Sequence, residues 1–125
     1  MPRFVILRHE LPADSTRPSH WDLMFEEQGA LRTWAVESEP AIGASANAEA
    51  LADHRLAYLT YEGEVSGGRG TVARWDEGEY TLEKSSDNDW QALLHGRRLQ
   101  SRIKLVRDRP DHSWRVSFEA APTSG

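Results

Sequence analysis

The segment 19–36, SHWDLMFEEQGALRTWAV, alternates between apolar and polar side chains with a period of two. The apolar set is Trp21, Leu23 and Phe25, and the alternate positions hold His20, Asp22, Met24 and Glu26. Because successive side chains of a β-strand point to opposite faces, the segment predicts a strand with one apolar face and one face that carries a histidine and a carboxylate.

Short alternating segments of this kind recur along the whole chain, separated by turn residues. Predicted strands cover residues 3–9, 20–26, 31–36, 56–61, 70–76, 79–83, 90–94, 102–107 and 113–119. Glycine-containing turns are predicted at 27–29 and 76–78, and the alanine-rich stretch 44–52 is the one predicted helix. Many short strands with little helix favour an all-β fold, a compact closed or crescent-shaped barrel of short antiparallel strands.

Composition limits the classes of function. The 125 residues are expected to form one domain, 1–125, with a flexible tail at 120–125. The absence of cysteine excludes disulfides, thiolate metal sites and a cysteine nucleophile. A net charge of −5 argues against a general charge-driven nucleic-acid binder, although not against an enzyme that grips only a nucleic-acid end. The apolar runs are too short for a membrane span or a secretion signal, so we expect a cytoplasmic protein with no membrane partner.

Histidine and carboxylate side chains gather around the first two predicted strands. His20 and Asp22 share one face of the second strand, and His9 ends the first. A hairpin formed across the loop 10–19 would bring His9 close to both. Two imidazoles and one carboxylate suit a divalent transition metal such as Mn²⁺, Zn²⁺ or Fe²⁺. The alternative is a surface pair of His20 and Asp22, because H-x-D is a short and common spacing.

A second group of interest is the segment DHRLAY, residues 53–58. In a strand, His54 and Tyr58 would share a face. A histidine beside a metal can donate a hydrogen bond to a phosphate or act as general acid, and a tyrosine hydroxyl can hold a phosphate oxygen. The alternative is a turn histidine next to a core tyrosine. The glycine-rich run 66–71 lacks the GK[ST] ending of a phosphate loop, which indicates a tight turn near the site.

The order of the motifs resembles that of a known family. FVILRH, HWDLMFE, GALRTWAV, DHRLAYLTYEG, GRGTVARWDEGEY and LLHGRRLQSRIKLVR follow one another as in the 3′-phosphoesterase domain of bacterial ATP-dependent DNA ligase D, also called the DNA polymerase/ligase N-terminal domain. The chain looks like a stand-alone member, similar over roughly residues 3–107. The resemblance implies a metal-dependent enzyme that removes 3′-phosphates and 3′-ribonucleotides from DNA ends during non-homologous end joining.

The resemblance also implies roles for individual residues. His9, His20 and Asp22 match the metal ligands, and His54 and Tyr58 match the residues near the scissile phosphate. The implied cofactor is a divalent metal, most often Mn²⁺, with Zn²⁺ or another transition metal as alternatives. The implied partners are 3′ ends of DNA, including DNA/RNA primer-templates, and ligase or polymerase repair proteins.

Five further residues are candidates for supporting roles: Asp53, Glu62, Arg17, Arg55 and Arg69. The two carboxylates are candidates to orient an imidazole, and the three arginines are candidates to contact phosphate.

Two positions depart from the family pattern. Met24 stands where the family usually has an arginine, and a thioether cannot make a guanidinium's bidentate contacts to an oxyanion. Ser38 stands where a lysine is common. These departures leave two alternatives open. One is a catalytically weak or silent module on the same barrel that binds nucleic-acid ends or a repair partner. The other is a barrel that binds a small phosphorylated molecule.

Overall fold

The computed structural model describes residues 2–108 and 113–122, so residues 123–125 of the predicted tail lie outside it. The described residues form nine strands: β1 (Arg3–Glu10), β2 (His20–Glu27), β3 (Ala30–Val36), β4 (Ser45–His54), β5 (Gly63–Glu64), β6 (Thr71–Ser85), β7 (Asp89–Gly96), β8 (Gln100–Arg107) and β9 (Ser113–Ala120). One 3-10 helix (Leu56–Leu59) follows β4. Nowhere in these residues is there a helix of the length and apolar character that crossing a membrane requires.

Eight of the strands close into an antiparallel barrel. Their order is β1-β2-β3-β4-β9-β8-β7-β6, and β6 returns to pair with β1, while β5 pairs with the start of β6. The closing ladder runs from Arg3 opposite Glu79 to Glu10 opposite Thr71, with a shift of register after Ile6. Closure therefore gives β1 hydrogen-bonded neighbours on both sides, and the prediction of an all-β barrel is confirmed in its closed form.

The interior of the barrel is a packed core. Alternate residues of the strands point inward, and the aromatic ring of Phe25 lies 4.3 Å from that of Trp90 and 6.0 Å from that of Trp34, measured between centroids. Since side chains fill the lumen, the other face of β2, with His20 and Asp22, lies on the outside of the barrel.

A second apolar cluster covers part of that outer face. It consists of Val5, Leu7, Met24, Leu31, Leu59 and Val72. Leu59 is the buried residue of the 3-10 helix, so this helix covers the outer side of the β1–β2 hairpin. The hairpin thus has an apolar cluster on each face, and its polar residues lie among packed side chains.

The predicted helix over 44–52 is wrong, because this stretch forms most of β4. Alanines at alternate positions of β4 face the core beside two indoles. Ala48 pairs with Trp114 across the sheet, and Ala50 pairs with Trp34. Small side chains leave the volume that the tryptophans fill. Composition favoured a helix, but the period-two spacing of the alanines matches the strand.

Two other predictions of local structure are also wrong. The predicted strand 56–61 is the 3-10 helix and a turn, and the predicted turn 76–78 lies inside the 15-residue strand β6. A Cβ at Gly78 would lie 2.1 Å from the carbonyl oxygen of His95, so this glycine permits close approach of β7. The predicted turn at 27–29 is confirmed, with φ angles of 53° at Gln28 and 83° at Gly29.

Candidate metal centre

His9, His20 and Asp22 meet on the outer face of the β1–β2 hairpin. The two histidines lie opposite each other in the ladder, with ring centroids 4.8 Å apart. Nδ1 of His9 lies 3.4 Å from Oδ2 of Asp22, and Nε2 of His20 lies 3.1 Å from Oδ1. One ligand atom from each residue lies within 4.8 Å of the others, which is compatible with a single shared ion.

Backbone carbonyls hold the other nitrogen of each histidine. Nε2 of His9 donates to the carbonyl oxygen of Arg69 at 2.7 Å, and Nδ1 of His20 donates to that of Pro18 at 3.1 Å. Because a carbonyl oxygen can only accept, each contact places a proton on that nitrogen and leaves the opposite nitrogen facing Asp22. Histidine ligands of metals are oriented by hydrogen bonds of this kind.

The electrostatic balance at Asp22 favours the carboxylate. Burial raises the pKa of Asp22, but the neighbouring side chains of His20 and His9 outweigh burial and lower it to about 2. The contact with Asp22 raises the pKa of His9 above its usual value, against burial and the charge of Arg17, which both lower it. The site thus concentrates negative charge between two imidazoles.

The donor set fits a divalent cation. Within the described residues, no donor approaches Oδ1 of Asp22 with hydrogen-bond geometry, although this oxygen is buried. A buried carboxylate oxygen without a donor is unfavourable, and a cation would stabilise it. Two imidazole nitrogens and one carboxylate oxygen are ligands that transition metals accept, and three protein ligands leave coordination positions open.

A crevice of about 310 Å³ opens over these three residues. Seven of the ten predicted site residues line it: His9, His20, Asp22, His54, Tyr58, Arg17 and Arg69. Met24 forms part of the wall and is buried among apolar neighbours. The crevice therefore combines a candidate metal centre with two further polar side chains and two cations.

His54 and Tyr58 lie close together, but their backbone arrangement differs from the predicted one. His54 ends β4, whereas Tyr58 belongs to the 3-10 helix, so the two do not share a strand face. Their rings nevertheless lie 5.5 Å apart, centroid to centroid. Nδ1 of His54 donates to the carbonyl oxygen of Ala52 at 2.9 Å, which leaves Nε2 as the nitrogen available to a ligand.

Three predicted residues do not line the crevice. Arg55 lines a neighbouring cavity of about 240 Å³ together with Tyr58. Glu62 accepts the backbone N–H of Arg74 at 2.7 Å, and Asp53 is exposed. The roles suggested for these residues stay predictions.

The groups that orient the imidazoles were not predicted from the sequence. They are main-chain carbonyls of Pro18, Ala52 and Arg69, and a carbonyl has no side-chain signature. Two of them lie two residues before the histidine that they hold, so local spacing is the one sequence signal for them.

Comparisons with known proteins identify the family of the chain. Residues 11–107 match the DNA Ligase D 3'-phosphoesterase domain. The chain is 35% identical over 117 residues to the "Multifunctional non-homologous end joining DNA repair protein LigD" of Mycobacterium tuberculosis, covering 86% of this chain and 15% of that protein. It is 30% identical over 115 residues to the "Multifunctional non-homologous end joining protein LigD" of Pseudomonas aeruginosa, covering 84% and 13%. The chain thus spans a small part of these relatives, and it belongs to the DNA Ligase D 3'-phosphoesterase domain family.

Proposed function

We propose that this protein is a metal-dependent 3′-phosphoesterase that removes 3′-phosphates or 3′-ribonucleotides from DNA ends in the cytoplasm. The main support is the convergence of His9, His20 and Asp22 with His54 and Tyr58 in one crevice. Family membership supports a hydrolase that processes ends for joining. The relatives are named for non-homologous end joining and DNA repair, and we expect DNA 3′ ends and ligase or polymerase repair proteins as partners of this chain.

His9, His20 and Asp22 would hold the divalent cation, for which Mn²⁺ is our first choice. When bound, such an ion polarises a phosphate oxygen and lowers the pKa of a coordinated water. The carbonyls of Arg69 and Pro18 keep the two imidazoles in the tautomers that ligation needs. Asp22 supplies the negative charge that offsets part of the charge of the ion.

His54 and Tyr58 would act on the phosphate itself. Because Nδ1 of His54 is held by a carbonyl, Nε2 is the atom that would donate a hydrogen bond or a proton to the leaving oxygen when the ring is protonated on both nitrogens. The hydroxyl of Tyr58 would hold a non-bridging oxygen. The packing of the two rings restricts the motion of both side chains.

The test is to measure Mn²⁺ binding by calorimetry and phosphate release from a 3′-phosphorylated primer-template, for the wild type and His20→Ala. We expect one equivalent of Mn²⁺ in the wild type and loss of both binding and turnover in the variant. His95→Ala is the matched control, because His95 lies on β7 with Nε2 next to the hydroxyl of Thr81. Turnover that persists after removal of metal would contradict the mechanism.

A second candidate, an end-binding module without turnover, is favoured by Met24. Its buried thioether occupies the wall of the crevice where the resemblance implies an arginine. Tight binding of 3′-phosphorylated ends without release of phosphate would establish this alternative, and turnover of small phosphoesters alone would favour a different substrate.

A further inference from the structure

The crevice contains two cationic side chains, Arg17 and Arg69, among the described residues that line it. A phosphate held beside a metal needs positive charge on its remaining oxygens, and a guanidinium provides this with two parallel hydrogen bonds. The wall position Met24 provides none. Which of the two arginines is free to take this role follows from their contacts.

Arg69 is engaged within its own turn. Its Nε donates to the carbonyl oxygen of Ser66 at 2.7 Å, and its Nη2 donates to the hydroxyl of Ser66 at 3.0 Å. Its own carbonyl also orients His9. A substrate that approached the Nε–Nη2 edge of this guanidinium would have to displace two hydrogen bonds in the turn that positions a candidate metal ligand.

Arg17 is placed differently. It lies in the loop 11–19, which is fixed at its base by a hydrogen bond from the N–H of Leu11 to the hydroxyl of Ser19 at 2.9 Å. Its side chain is 46% exposed and lines both the crevice and an adjoining cavity of about 360 Å³. The next residue, Pro18, provides the carbonyl that orients His20. Arg17 therefore lies beside the centre on a segment that is anchored to it.

The guanidinium of Arg17 is held by one carboxylate. Nη2 lies 3.2 Å from Oε1 of Glu49 on β4, and the side chain of Glu49 is 59% exposed. An exposed pair of this kind is weak and exchanges readily with other ions. A phosphate in the crevice can replace the carboxylate as the partner of this guanidinium.

We propose that Arg17 is the phosphate-binding cation of this crevice and that Glu49 occupies it in the free protein. This inference rests on the proposed function and specifies the group that binds the substrate. Binding is then an exchange of one anion for another, so Glu49 weakens the affinity for phosphate. Removing the arginine and removing the glutamate have opposite effects.

The experiment measures the affinity of the Mn²⁺-loaded protein for inorganic phosphate and the KM for a 3′-phosphorylated primer-template. We expect Arg17→Ala to weaken both by about 10- to 100-fold, as loss of charge-assisted hydrogen bonds does. Arg17→Lys restores part of the loss. Glu49→Gln strengthens both by about 2- to 5-fold, and it has no effect when combined with Arg17→Ala.

Two controls separate a specific effect from a general change of charge. Arg115→Ala removes a surface arginine that is bonded to Asn47 and Ser45, and Glu37→Gln removes a negative charge from the adjoining cavity. We expect both to have smaller effects than the Arg17 and Glu49 variants. Mn²⁺ affinity is measured for every variant, and we expect it to be unchanged.

The outcomes distinguish this inference from the proposed function. Equal phosphate affinity in the wild type and Arg17→Ala overturns the inference, whether or not the protein turns over DNA ends. Loss of Mn²⁺ binding in Arg17→Ala also overturns it, because Arg17 would then act by holding the loop. Phosphate binding that depends on Arg17, in a protein without turnover, supports the inference and contradicts the proposed function.

Discussion

Two aspartates are buried among the residues that the structure describes, and their surroundings differ in kind. Asp22 and Asp76 are each 3% exposed. Asp76, on β6, accepts four backbone N–H groups, from Glu77, Arg97, Arg98 and Leu99, at 2.8 to 3.0 Å. Asp22 faces two imidazoles, and its Oδ1 has no donor of good geometry within the described residues.

The difference separates a structural carboxylate from a candidate ligand. Three of the four backbone N–H groups belong to the turn between β7 and β8, so they stay bonded to Asp76 unless this turn opens. The carboxylate of Asp76 therefore keeps its hydrogen-bond donors in the folded protein. The imidazoles beside Asp22 present ring nitrogens that can bind an ion together with the carboxylate. Burial alone does not identify a site, whereas the chemistry of the neighbouring groups does.

The strongest test of this comparison is Asp22→Asn, which keeps the shape of the side chain and removes its charge. We expect Mn²⁺ affinity to fall by more than about 100-fold, because loss of an outer partner alone typically costs 10- to 100-fold. The barrel should remain folded, since its core on the opposite face of β2 is unchanged. Calorimetry with Mn²⁺ and circular dichroism check both parts. Affinity within a few-fold of the wild type would remove Asp22 from the ligand set.

The complementary change is Asp76→Asn. An amide nitrogen would face backbone N–H groups, and charge-assisted hydrogen bonds would be lost, so we expect the free energy of unfolding to fall by about 3 kcal/mol. Mn²⁺ affinity should stay at the wild-type value. Urea unfolding and calorimetry provide the two measurements. A variant of unchanged stability would show that the four amides hold an amide as well as a carboxylate.

The smallest effect is expected at an exposed carboxylate. Glu83 accepts hydrogen bonds from Arg102 at 2.8 and 3.0 Å and from Gln91 at 2.8 Å, and the bond from Arg102 is the main cause that lowers its pKa to about 2. A depressed pKa in the folded state contributes stability above the unfolded pKa, near 4.5, that is lost as pH falls through about 2.

We therefore expect Glu83→Gln to be slightly less stable than the wild type at neutral pH and equally stable near pH 2. Thermal melts of both proteins between neutral pH and pH 2 measure how the stability difference changes with pH. A stability difference that grows toward low pH would contradict the prediction. Glu83 and Asp22 share a pKa of about 2 for different reasons, so the shift alone does not mark a metal centre.

Much of the candidate site could be predicted because it depends on local alternation. The period-two pattern places His20 and Asp22 on one face of β2, and the loop before them allows His9 to pair opposite His20. Both follow from strand geometry and a single hairpin. An all-β barrel, closed or crescent-shaped, also followed, because many short strands of this kind need a common core.

The remaining features depend on contacts between distant segments. The alanines of β4 form a strand because tryptophans of neighbouring strands need their space, and a composition rule does not include those neighbours. In the sequence Gly78 resembles a turn glycine, and its role becomes clear only from the close contact with β7 in the fold. The pair of Arg17 and Glu49 joins residues 32 apart in sequence, and no spacing rule predicts it.

The closing ladder between β1 and β6 has a consequence for the order of folding. The three candidate ligands lie on one hairpin, whose contacts are local and form early in a folding chain. The carbonyl that fixes the tautomer of His9 belongs to Arg69, 60 residues further along, and arrives only when the barrel closes. Pairing between distant segments forms more slowly than a hairpin, so we expect the centre to reach its final geometry only after the hairpin that carries its ligands has formed.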